Sequence, residues 1–196
     1  MKPNFPASLL PSGMVWALLG ALMTGCSVTS DFAVVEDQTL PGLPLPVPLV
    51  GVPLVPGLSC NLPNEAALDQ AVEDAIGACL AKIFTVKEAM LLSLQISVKE
   101  DSPGDFSGIK RLTLTLHTLD TDGLRLGQIP LGGAENPEGF GPRVELPVDP
   151  PVDIVGFLRS GADCGALAIA ADGQYPGQNV TFDVRARVKI RPGFRR

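Results

Sequence analysis

Val180-Thr181-Phe182-Asp183-Val184-Arg185-Ala186-Arg187-Val188-Lys189-Ile190-Arg191 alternates apolar and polar residues without a break. Successive side chains on a strand point to opposite faces, so this period of two describes a strand with one buried face. Val180, Phe182, Val184, Ala186, Val188 and Ile190 form the inward row. The outward row ends in Arg185, Arg187, Lys189 and Arg191, a basic stripe about 20 Å long at roughly 3.3 Å per residue.

The same alternation recurs upstream. In residues 89–99, Met90, Leu92, Leu94, Ile96 and Val98 share one parity, and Ser93, Gln95, Ser97 and Lys99 share the other. Residues 110–118 place Leu112, Leu114 and Leu116 inward and His117 outward. Asp101-Ser-Pro-Gly-Asp and Asp120-Thr-Asp-Gly punctuate these runs as turns. Shorter strands are expected at 28–37, 124–129 (ended by Pro130), 144–148 and 166–171. Pro147, Pro150 and Pro151 place the 144–148 strand at a sheet edge. Residues 152–158 fit one short helical turn begun near Asp153.

Two segments break the pattern. Between Asp37 and Glu65 no charged side chain occurs, and Pro41, Pro44, Pro46, Pro48, Pro53, Pro56 and Pro63 recur. Proline fixes φ and removes a backbone donor, so this stretch reads as extended chain, neither helix nor central strand. It is also too apolar for a solvated linker. An extended cover on the domain, a strip dipping into lipid and a docking strip for a partner are the three readings. The other exception is a helix over 64–83: Asn64 suits its N-cap, and Glu65 suits its first turn. Leu68, Val72, Ile76, Cys79, Leu80 and Ile83 make its apolar stripe.

About seven strands with turns every 8–15 residues predict an antiparallel β-sandwich, immunoglobulin-like in general look, with one added amphipathic helix. The N-terminus adds a targeting signal. Residues 14–23 are a ten-residue apolar run, too short for a spanning helix, which needs about 20 residues, but suited to the core of an export signal. The run ends in Met23-Thr24-Gly25-Cys26, which resembles the lipobox of bacterial lipoproteins. That resemblance implies cleavage before Cys26, lipidation of its thiol, and anchoring of the chain to a membrane of the cell envelope. Ser27 implies sorting to the outer membrane in a host that has one, with the protein facing the periplasm or the cell surface. The organisation expected is then a signal at 1–25, a lipidated N-terminus with first strand and Pro-rich segment at 26–63, and the sandwich with its N-terminal helix at 64–193.

Composition narrows the chemistry. Of 196 residues, 45% are hydrophobic but only 5% aromatic, so the core is aliphatic and lacks the ring platforms of sugar or single-strand nucleic acid sites. Residues 1–25 hold one charged residue, Lys2, and removing them takes the net charge from −6 to −7. Residues 26–180 hold 8 basic against 20 acidic residues, which argues against nucleic acid as a partner. Cys60, Cys79 and Cys164 remain beside Cys26. Export favours one disulfide, and Cys60–Cys79 is the expected pair, closing a short loop onto the helix for about 3 kcal/mol by the chain-entropy argument. No CxxC pair accompanies the single histidine, so neither a metal nor a cofactor is expected. Nor is there a nucleophile elbow, an HExxH pair or a phosphate-binding glycine loop, so no catalytic residue is assigned. The expectation is a non-enzymatic binding or assembly module of the envelope. The basic stripe has two readings: it pairs with acids on a neighbouring strand or discourages edge-to-edge aggregation, or it meets an envelope protein or anionic lipid as partner. The alternative is a lipid-handling protein with an acyl-chain site between sheet, helix and Pro-rich segment.

Overall fold

The computed structural model describes residues 27–57, 59–77, 84–119, 125–159 and 164–194. Among the described residues, eight strands order themselves by a simple rule. They are β1 (Val28–Leu40), β2 (Pro48–Pro56), β3 (Phe84–Val98), β4 (Ile109–Leu119), β5 (Arg125–Glu135), β6 (Arg143–Asp153), β7 (Cys164–Gln174) and β8 (Val180–Phe194). β1 pairs with β8, β2 with β7, β3 with β6 and β4 with β5, all antiparallel. The chain is thus one long ribbon of paired strands, rolled up so that β3 also pairs with β8 and β4 with β7. The result is two four-stranded sheets, β1-β8-β3-β6 and β2-β7-β4-β5. This is a jelly-roll β-sandwich. Its eight strands and their order differ from the seven-stranded immunoglobulin arrangement.

Between the sheets lies an aliphatic core. β8 contributes Val180 through Ile190 on alternate positions, all fully buried, as the period of two requires. Facing them are Leu112, Leu114 and Leu116 of β4 and Leu167 and Ile169 of β7. In β3 the parity changes partway. Ala89, Leu91, Leu94 and Ile96 are buried, whereas Met90 and Leu92, expected inside, are not. The register shifts between Leu91 and Ser93 against both neighbours, a β-bulge whose extra residue exchanges the two faces. The inward assignments of Met90 and Leu92 are therefore corrected to Ala89 and Leu91.

Proline placement obeys the edges. β6, carrying Pro147, Pro150 and Pro151, is an edge strand of the first sheet. Within the Pro-rich segment, residues 48–56 form β2, an edge strand of the second sheet that buries Leu49, Leu54 and Val55. An edge strand tolerates missing N–H donors on its open side, so a chain this rich in proline can still join a sheet. β5 likewise continues through Pro130 and Gly133 on the opposite edge, beyond the end expected at Pro130.

The antiparallel order gives the sandwich two poles. Val28, Phe84, Cys164 and Phe194 lie at one, which we call the lower pole. Leu40, Pro48, Val98, Ile109 and Val180 lie at the other, the upper pole. Helix α1 (Glu65–Ile76) packs on β1, β3 and β8 and buries Leu68 and Val72. The Asn64 side chain accepts the Ala67 N–H at 2.9 Å, as its capping role predicts. The helix stops at Gly77, whose φ of 85° is outside the helical range. Cys79, Leu80 and Ile83, expected on its stripe, lie outside the described residues. Helix α2 (Ile154–Arg159) buries Ile154 and Val155, and Asp153 Oδ1 accepts the N–H groups of both Val155 and Ala89 at 3.1 Å.

The disulfide joins Cys60 to Cys164, 104 residues apart, with 5.6 Å between Cα atoms. This replaces the expected Cys60–Cys79 pair. The reason is sheet register: Pro56 lies opposite Ala168, so the chain leaving β2 meets the start of β7. Asn61 reinforces the junction by accepting the Leu167 N–H at 2.6 Å and donating to the Leu167 carbonyl at 2.9 Å. Closing a loop of this order removes about 4.7 kcal/mol of denatured-state entropy in the chain-entropy argument.

The bulge in β3 makes a sharp expectation. Leu91→Ala should lower stability by about 3 kcal/mol in denaturant melts, the usual cost of emptying a core leucine site. Its neighbour Leu92→Ala should cost less than about 1 kcal/mol. The reverse order would mean that the alternation runs unbroken and that β3 has no bulge.

Candidate functional site

β8 is an inner strand of the first sheet, so its basic row lies between the outward side chains of β1 and β3. Arg187 sits opposite Asp31 on one side and Ser93 on the other. Its Nε lies 3.0 Å from Asp31 Oδ1, and its Nη1 lies 3.6 Å from Glu145 Oε1. The same Glu145 oxygen accepts the Ser93 hydroxyl at 2.8 Å. The hydrogen bond to Asp31, then the charges of Asp31 and Glu145, hold the Arg187 guanidinium above even its ordinary high pKa. Arg191 is opposite Glu88, with Nη1 3.3 Å from its carboxylate. Cross-strand pairing of this kind is the ordinary use of opposite charges on a sheet surface.

Arg185 and Lys189 differ from these two. Both are exposed, and among the described residues neither makes an ion pair. The stripe Arg185, Arg187, Lys189, Arg191 therefore exists as a row, but its charge is shared out at alternate positions. Only two of the four cations remain available to an anionic partner.

A second charged knot lies at the upper pole. The Lys99 ammonium contacts Asp37 and lies 3.4 Å from Asp183 Oδ1, which also accepts the Asp37 N–H at 2.9 Å. The hydrogen bond to Asp37 outweighs desolvation, and with Asp183 it raises the Lys99 pKa. Asp37 has φ 54°, so this knot holds β1 through a left-handed residue in the irregular stretch between Val35 and Gln38. Beside it is an open depression of ≈ 800 Å³, lined by Lys99, Asp105 and Arg143 among others. Ser107 bonds to the Asp105 carboxylate and lowers its pKa. With both signs of charge and Lys99 committed to two carboxylates, the depression has no chemistry that selects one ligand.

His117 is corrected from a sheet-surface residue to a buried one, 4% exposed. It keeps its outward parity on β4, but the chain leaving β2 runs over it. A Cβ on Gly57 would come within 2.8 Å of its ring and 2.6 Å of the Ala168 Cβ, so only glycine fits there. Sequence alternation could not reveal a covering segment from a distant strand. Among the described residues no group of three or more His, Cys, Asp or Glu side chains converges to hold a metal. Among those same residues no helix is long and apolar enough to cross a membrane.

The described exposed large hydrophobic residues are Leu45, Val47, Val50 and Ile129, and the first three cluster in the uncharged segment entering β2. Between β1 and β2 at that end lies a notch of ≈ 140 Å³ lined by Leu40, Val52, Leu54, Tyr175 and Phe182, among others.

No family model and no curated protein matches this chain. Among solved structures it is similar to the Gx strain of infectious bursal disease virus, with 10% identity and a TM-score of 0.36, over 86% of this chain and 36% of the viral one. The VP2 subviral particle of the same virus gives 8% identity and a TM-score of 0.34, over 97% and 38% of the two chains. The decameric BFDV capsid protein gives 12% and 0.26, over 87% and 96%. The chain spans little more than a third of the bursal disease virus proteins that it matches. At scores this low the likenesses carry no argument, and the jelly-roll assignment rests on the strand order itself.

The split of the basic row predicts unequal mutants. Arg187→Glu sets a third carboxylate beside Asp31 and Glu145, and should lower the melting temperature by several degrees at low salt. Arg185→Glu and Lys189→Glu should leave it nearly unchanged. Salt should narrow the difference, because exposed pairs are screened. Equal losses at all three positions would contradict the pairing.

Proposed function

We propose that this protein is a membrane-anchored lipoprotein whose jelly roll serves as a non-enzymatic binding or assembly module of the cell envelope. The observation that carries this reading is the junction between signal and fold. The lipobox cysteine, Cys26, precedes the first residue of β1, Val28, by two positions. Two residues of extended chain reach about 7 Å, so acylation at Cys26 would hold the lower pole against the bilayer. Three acyl tails at about 0.8 kcal/mol per buried methylene would make that attachment stable.

The core favours a binding module over the lipid-handling alternative. The facing rows of β8, β3, β4 and β7 fill the space between the sheets with fully buried side chains. The notch beside β2, at ≈ 140 Å³, falls short of the roughly 300–1,000 Å³ of ordinary small-molecule pockets. Between the described faces of the two sheets an acyl chain would have to displace packed residues to enter. His117 lies under Gly57, out of reach of a substrate, which supports a binding role over a hydrolytic one.

The acidic face of α1 bears on the partner. Glu65, Asp69, Glu73 and Asp74 carry its charge, with no basic residue in its last turn. This helix offers nothing to anionic headgroups, and Lys189 of β8, opposite Thr29, is an exposed cation at the same pole, so the attachment proposed here rests chiefly on the acyl chains.

Replacing Cys26 with Ser tests the reading. The variant should move from the membrane pellet to the soluble fraction of its producing cells and retain the parent's melting temperature once purified. A Cys26→Ser protein that still sediments with membranes and resists salt washing would overturn the anchoring.

A further inference from the structure

β1 runs from one pole of the sandwich to the other. It runs alongside β8 from Ile190 to Val180, a span of about 33 Å at roughly 3.3 Å per residue, and delivers the uncharged segment to the upper pole. Residues 41–47 therefore lie opposite the pole where β1 begins at Val28. Leu45, Val47 and Val50 are 71%, 38% and 79% exposed there. This rests on the anchoring proposed above, and it turns the rim away from the bilayer that anchors the protein.

The exposure is built in. Leu43 N–H donates to the Pro176 carbonyl at 2.8 Å, and Tyr175 N–H donates to the Val47 carbonyl at 3.0 Å. Gly42 N–H donates to Asn179 Oδ1 at 2.9 Å, and Gly51 N–H donates to Asp172 Oδ1 at 2.6 Å. Four bonds to the β7–β8 connection and to β7 thus hold the rim with its apolar side chains in water. An apolar surface fixed in advance loses little conformational entropy on binding, and clustered exposed apolar residues mark interaction surfaces.

We propose that this rim docks an uncharged, apolar surface of a different protein at the pole remote from the membrane. The chemistry of the partner follows from the charge pattern: nothing from Gln38 to Asn64 offers an ion pair, so a charged partner surface would be desolvated without compensation. Two copies of the chain beginning at Cys26 carry −7 each and repel, and the rim has no charges to offset that. Strand addition to β2 is also disfavoured, because Pro48, Pro53 and Pro56 have no N–H to offer at the open edge. Contact is through side chains.

A photo-crosslinking amino acid placed at Val47 or at Thr29 in the full-length protein, irradiated in the producing cells, tests this. The label at Val47 should give a discrete adduct with another protein. Its yield should fall about tenfold with Val50→Asp, equivalent to roughly 1.4 kcal/mol of lost affinity, and stay unchanged with Lys87→Glu, at an exposed position of β3 outside the basic stripe. Leu45→Asp provides a second variant should Val50→Asp fail to fold. A lipid adduct at Val47, an adduct of twice the chain's own mass, or no adduct at all would each overturn the proposal. So would a protein adduct indifferent to both Val50→Asp and Leu45→Asp. The label at Thr29 reports on the anchoring separately: a lipid adduct there supports it, and its absence together with an unacylated Cys26 counts against the anchoring alone.

Discussion

The simultaneous pairing of β8 with β1 and β3 is the constraint on which the rest of the structure depends. β8 is the last strand in the chain, yet it joins the first strand to the third. Its inward row, Val180 to Ile190, is fully buried and supplies the middle of one wall of the core. Once β1 and β8 are adjacent, antiparallel pairing sets β2 against β7, and the same roll brings β4 to β7. Most of these contacts join residues far apart in sequence, so loop-closure entropy must be overcome before burial is gained. The disulfide at Cys60–Cys164 reduces that entropy for the β2–β7 half.

Much of this architecture was legible because alternation is a local property. The β8 row and the Leu112–Leu116 row fall inside as their parity demands. Half of β3 does not, since Leu91 and Leu92 are both leucine and nothing local says which one a bulge turns outward. β2 was hidden for a different reason. Its prolines argue against a strand in general, but the argument weakens at an edge, and edge position is a product of the whole topology. The disulfide failed likewise: proximity along the chain favoured Cys79, whereas register across the sheet chose Cys164.

The candidate site divides in the same way. That Arg185, Arg187, Lys189 and Arg191 face one side follows from period alone. Which of them are neutralised depends on Asp31, Glu145 and Glu88, which are contributed by β1, β6 and β3. The burial of His117 depends on Gly57, 60 residues away along the chain. Pole assignment belongs to the same class. A signal cysteine and a proline-rich apolar segment sit close together in the sequence, which suggests a single membrane-proximal patch. The length of β1 separates its first residue, Val28, from the Pro-rich segment by the full height of the sandwich, so on the proposed anchoring the two features belong to opposite ends of the molecule.

The proposed anchoring requires an acylated Cys26. The intact mass of the protein extracted with detergent from membranes of its own host tests it most directly. The expected mass is that of a chain beginning at Cys26, with 171 residues, bearing diacylglycerol and an amide-linked acyl group on that cysteine. A mass showing residues 1–25 retained, or a free thiol at position 26, would contradict it.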